Sequence, residues 1–200
     1  MRIVNAIGKR FSRALLNSER RYQLGYVIPI SQEMHNSIRG IQLDLLRENG
    51  ADIAIESNLH ITLKQGFEIL DLIPFEQHFD QLVSSTEPFD VRVQGFGFFD
   101  EGIVYMDVVQ TNALKALRER ILRDLSTKFG VNPNPIEDDR YHFHATVAHT
   151  FSAPCFERSQ RAVRGRDLNF EFTCGALELL LYTGQEWIAY KRSTLLPGRD

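Results

Sequence analysis

The chain lacks any apolar run of 18 residues, so no segment of it is fit to cross a bilayer as a helix. It has only two cysteines, Cys155 and Cys174, which leave room for one structural disulfide and exclude a framework of several. Both are expected reduced and buried, as in a cytoplasmic protein. It also lacks a basic excess: 23 Lys and Arg stand against 26 Asp and Glu, a net charge of −3. A general polyanion binder needs the opposite balance, so any nucleic-acid substrate is met as an end or a small fragment. What remains is an ordinary globular composition, 43% apolar and 24% charged, enough for one compact core.

One stretch departs from that balance. Within the first twenty-one residues Arg2, Lys9, Arg10, Arg13, Arg20 and Arg21 face a single acid, Glu19. Ile3, Ile7, Phe11 and Leu15 recur every fourth residue, the pattern of a helix with one apolar stripe. Residues 1–22 are therefore expected to form a basic N-terminal helix or extension, docked by that stripe or touching membrane or RNA. It lacks the apolar centre of a signal peptide. Residues 23–200 are expected to form a single two-lobed domain.

That domain reads as a repeated unit. A strand-like run, Gly25 to Ile30, precedes a helical stretch from about Ser31 to Asn49; another strand, Gly102 to Val109, precedes a helical stretch from about Thr111 to Phe129. The second helix has Leu114, Leu117, Ile121, Leu125 and Phe129 at helical intervals, Thr111 as N-cap and Gly130 as stop. Further elements are expected as a helix over 74–84 and strands over 89–99, 169–172, 176–183 and 187–192. The class is α+β: two pseudo-symmetric lobes of mostly antiparallel sheet backed by helices.

Each helical stretch leads to the same short phrase. His60-Ile61-Thr62-Leu63 follows the first, and His144-Ala145-Thr146-Val147 the second. On a strand, alternation puts His and Thr on one face and the apolar pair on the other. Two such strands can clasp one small anionic group. Cleaving a phosphodiester needs a base for the incoming proton and an acid for the departing oxygen, and histidine serves either role near neutrality. The hydroxyls of Thr62 and Thr146 can donate to non-bridging oxygens. Neither phrase contains a carboxylate, which would repel phosphate. The sequence leaves open which histidine is acid and which is base.

The paired phrases resemble the HxT[apolar] signature of the 2H phosphoesterase superfamily, in its 2′-5′ RNA ligase-like branch. Phe143 and the terminal run Leu177 to Tyr190 extend the likeness, which covers about Leu24 to Leu195. The resemblance implies a two-lobed fold with both motifs in a central cleft. It implies phosphodiester chemistry without metal or organic cofactor on 2′,3′-cyclic phosphates or 2′-5′ linked nucleotides. The expected partner is a small nucleotide or RNA end, and the expected state a cytoplasmic monomer.

Around the motifs, Tyr26, Tyr182 and Tyr190 are candidates to stack a base, Lys64 to reach phosphate, and His142 to line the pocket. Two alternatives stay open. The cleft can hold a phosphorylated ligand without turning it over, as a binding module. Or His142, His144 and His149 hold a transition metal in a hydrolase, which leaves the first phrase unexplained.

Overall fold

The computed structural model describes residues 21–49, 59–100, 102–138 and 140–196. The expected N-terminal helix lies outside the described residues except for Arg21 and Tyr22, and Tyr22 already opens the first strand.

In chain order the elements are β1 (Tyr22–Pro29), α1 (Gln32–Asn49), β2 (His60–Ile69), α2 (Ile73–Ser84), β3 (Phe89–Phe99), β4 (Ile103–Val108), α3 (Asn112–Phe129), β5 (His144–His149), α4 (Ala153–Val163), β6 (Asn169–Cys174), β7 (Ala176–Tyr182) and β8 (Trp187–Thr194). The local signals act as their chemistry dictates. Thr111 accepts a hydrogen bond from the Leu114 amide at the start of α3, and Gly130 ends that helix at φ +69°, a conformation that suits glycine. Ser152 caps α4 in the same way as Thr111 caps α3, through the Cys155 amide. Helix α4 is the one long element the sequence patterns above do not announce.

The strands form two antiparallel four-stranded sheets, ordered β2-β1-β7-β8 and β5-β4-β3-β6. The two motif strands, β2 and β5, therefore hold the same place, each at one edge of its sheet and each beside the strand that precedes its helix. The duplication expected from the sequence is present as architecture. β2 and β5 touch each other, so the two sheets meet along the motif edges. Each long helix also leans on the motif strand of the other half, α1 on β5 and α3 on β2.

One core serves both lobes. Ile61 and Leu63 from the first phrase and Ala145 and Val147 from the second lie in it, as alternation requires. Cys155 and Cys174 are both buried thiols. Among the described residues no helix is long and apolar enough to cross a membrane.

Candidate active site

Burying Ile61 and Leu63 turns His60 and Thr62 to the open face of the first sheet. There, with Gly25, Val27, Lys64, Gln65, Gly66, Leu180 and Trp187, they line a small cavity of about 130 Å³. Burying Ala145 and Val147 leaves His144 half-buried and Thr146 exposed on β5. His144 lines a second cavity of about 450 Å³ with Phe99, Ile103, Ile136, Arg140, Tyr141 and His142. Gln65 borders both cavities, and the motif strands β2 and β5 are in contact. A still larger cavity, about 560 Å³, lies around Arg118 and Pro133 and contains neither motif.

The environment of His144 sets its proton chemistry. Its Nδ1 lies 2.8 Å from the backbone carbonyl oxygen of His142. A carbonyl cannot donate, so Nδ1 carries the hydrogen, and in the neutral ring Nε2 is left with the lone pair. Burial holds the imidazolium below the ordinary histidine range, opposed only in part by that carbonyl. The ring stands edge-on to Phe99 at 4.9 Å and beside Tyr105 at 5.4 Å between centroids. Tyr105 in turn lies over Gly97, where an added Cβ would run into its ring, so only glycine admits that stack.

A bulge extends this face. Tyr105 pairs with Thr146, but Val104 pairs with Ala148, so Val147 is an extra residue. Beyond it the parity flips, and His149 comes opposite Ile103 on the face that carries Thr146 and His144. Gln42 of α1 donates from Nε2 to the bulged Val147 carbonyl at 3.2 Å, satisfying a group the ladder has released.

The lobes are joined by a buried polar cluster. Glu137, in a short 3-10 turn (Pro135–Glu137), accepts from Lys64 Nζ at 2.6 Å and from the Gln65 amide at 2.7 Å. Arg118 donates to the Glu137 carbonyl and stacks on the Tyr141 ring, 3.9 Å from its centroid. Tyr141 donates its hydroxyl hydrogen to the Thr62 carbonyl at 2.9 Å, and burial pushes that hydroxyl up to about 12, so it stays a donor.

The remaining sequence candidates separate by strand face. Lys64 lines the His60 cavity, but its charge is committed to Glu137, which replaces the expected reach to phosphate. Tyr26 points the other way from Gly25 and Val27: it is buried against Phe79 and bonds His78 of α2 through its hydroxyl, so it belongs to the core and not to a base site. Tyr190 bonds Glu76 of α2 and lines neither cavity. Tyr182 sits behind Trp187 at 5.4 Å and likewise lines neither. His142 does line the His144 cavity, with Nε2 3.0 Å from Asp107. Among the described residues no three His, Cys, Asp or Glu side chains are grouped to hold a metal ion. Sequence reasoning missed Trp187, Gln65, Tyr141 and Glu137; the glycines within β1 and β2 were the available signal for the first.

Two edge strands that present matched His and Thr side chains across a seam define the class of 2H phosphoesterases. The sequence matches the model of the 2′-5′ RNA ligase superfamily over residues 29–186, and the chain belongs to that family. No curated protein matches the sequence. Among solved structures it is similar in fold to TT0787 of Thermus thermophilus, at 14% identity and a TM-score of 0.65, covering 88% of this chain and 100% of that one. E. coli LigT in its apo form is similar at 15% identity and TM-score 0.62 (88% and 98% covered). LigT complexed with 3′-AMP is similar at 17% and 0.61 (87% and 98% covered).

Proposed function

We propose that the protein is a metal-independent phosphodiesterase that acts on 2′,3′-cyclic phosphates or 2′-5′ linked nucleotides and RNA ends by histidine acid–base catalysis. The observation that carries this reading is the meeting of the two HxT edge strands, with the cavities of His60 and His144 sharing Gln65. Family membership supports phosphodiesterase-type chemistry. E. coli LigT, which shares the fold, has been solved with 3′-AMP and with phosphate.

In hydrolysis the incoming water gives its proton to Nε2 of His144, the ring held neutral by burial and fixed in tautomer by the His142 carbonyl. The water oxygen bonds to phosphorus, the bond to the leaving oxygen breaks, and protonated His60 supplies the proton that oxygen needs. Thr62 and Thr146 donate to the non-bridging oxygens as their charge grows. No cofactor takes part, and the enzyme acts as a cytoplasmic monomer.

The test is turnover of a panel of 2′,3′-cyclic and 2′-5′ linked substrates by purified protein. His60→Ala and His144→Ala are each expected to lower kcat by several orders of magnitude, and the double variant little further, since the pair acts as a unit. Binding without turnover by the wild-type chain would replace the enzyme with a phosphoester-binding module.

A further inference from the structure

We propose that Trp187 is the stacking platform for the nucleobase on the His60 side of the substrate. The proposal rests on the phosphodiesterase reading above and names one of its specificity-determining residues.

Trp187 starts β8, at the far edge of the first sheet from β2. Its indole nonetheless reaches back across the sheet. A Cβ added at Gly66 on β2 would meet its ring at 2.7 and 2.9 Å, and one added at Gly25 on β1 would meet it at 3.9 Å. The ring spans two strands because both carry glycine beneath it. Glycine inside a strand weakens the strand, and it recurs where another group must approach closely. Here the two lie in the irregular part of the β1–β2 ladder, between Leu24↔Phe67 and Tyr26↔Lys64.

The indole so placed walls the cavity that contains His60 and Thr62. It stays 37% exposed, although it rests on the sheet and touches Tyr182. A large aromatic face left open inside a cavity beside two phosphate-handling side chains is the arrangement that takes a flat base. The cavity, at about 130 Å³, is well below the roughly 300–1,000 Å³ of sites that enclose a whole drug-sized ligand, so it accepts one end of a substrate. The phosphate then lies toward Gln65, and the rest of the substrate extends into the larger His144 cavity. Tyr26 and Tyr190 do not compete for the role, since Tyr26 is buried in the core and Tyr190 lines neither cavity.

The chain has a single tryptophan, so its fluorescence reports this one ring. Adenosine 3′-monophosphate and inorganic phosphate are titrated into wild-type protein, with calorimetry in parallel. The nucleotide is expected to quench the emission and phosphate to bind without quenching. Trp187→Ala should weaken nucleotide binding roughly 5- to 150-fold, the range of one base stacked on an aromatic, and leave phosphate binding unchanged. Trp187→Phe should retain most of the affinity. Gly66→Ala keeps the indole but displaces it, and should weaken the nucleotide in the same direction; it serves in place of Trp187→Ala if circular dichroism shows that variant unfolded. Nucleotide binding without quenching, or an unchanged nucleotide-to-phosphate affinity ratio in Trp187→Ala or Gly66→Ala, overturns the platform while His60-dependent turnover keeps the function. Wild-type protein that neither binds nor cleaves any phosphoester overturns both.

Discussion

The ammonium of Lys64 and the carboxylate of Glu137 form an ion pair 2.6 Å long with side-chain exposures of 2% and 0%. Lys64 belongs to the strand of the first motif, and Glu137 to the segment that leads into the second. The same carboxylate also accepts from the amides of Gln65 and Asn134. It thereby fixes, from one side chain, the residue that borders both cavities. Removing one partner of such a pair leaves a buried charge uncompensated, which costs about 3–5 kcal/mol. Lys64→Met and Glu137→Gln are each expected to lower the urea midpoint accordingly, and the double variant to recover part of the loss. A cost below about 1 kcal/mol for Glu137→Gln would show that the pair does not hold the lobes together.

Burial sets the expected pH dependence. It lowers the His144 pKa, more than the His142 carbonyl raises it, and it lowers that of His78 as well. In the unfolded chain both rings titrate near 6.5. Between the folded and unfolded values the unfolded chain binds more protons, so stability rises with pH across that window. The contribution is full above about pH 6.5 and is lost as pH falls through the folded values. The acid limb of kcat/KM should accordingly lie below about pH 6.5 if His144 is the base. Ring-proton NMR and a pH–rate profile check both; an acid limb above pH 7 removes His144 from that role.

Thr62 and Thr146 separate catalysis from packing. Thr→Val keeps the branched shape and deletes the donor, and a hydrogen bond to a charged group contributes about 1.5–3 kcal/mol. Each variant should lose roughly 10- to 200-fold in kcat/KM. Thr62 is half-buried and Thr146 exposed, so melting temperature should change little. Unfolding in place of lost turnover would make the hydroxyls structural.

Prolonged treatment with EDTA should leave turnover unchanged, because the proposed acid and base are both imidazoles. Loss of activity that a single added metal restores would favour a metal-dependent mechanism.

The sequence was most readable where one force acts along one element. The α3 stripe, its Thr111 cap and its Gly130 stop depend on neighbours within a few residues, and so does the alternation that turns His60 and Thr62 away from the core while burying Ile61 and Leu63. The aromatic candidates were less readable. Tyr26 and Val27 are adjacent in sequence but face opposite sides of the sheet, and only the sheet's position against α2 decides that Tyr26 is core. Trp187 reaches the site by crossing from β8 over β7 and β1 to β2, a relation between strands from opposite ends of the chain. His149 regains the motif face only through the bulge at Val147, which an unbroken period of two places on the other side.

The strand order dictates when the site can exist during synthesis. β1, which flanks the His60 strand, has β7 as its other neighbour, and α3 of the second half rests on β2. A nascent chain that has delivered both HxT phrases still lacks the strand that closes the first sheet, and with it β8 and Trp187. Domains commonly fold from the N-terminus as they leave the ribosome. Here the first lobe must wait for the last, so a prematurely terminated product carries both histidine motifs without the sheet that aligns them. A chain clipped before β7 is expected to be inactive, even though no motif residue is missing from it, because β1 then lacks its second neighbour.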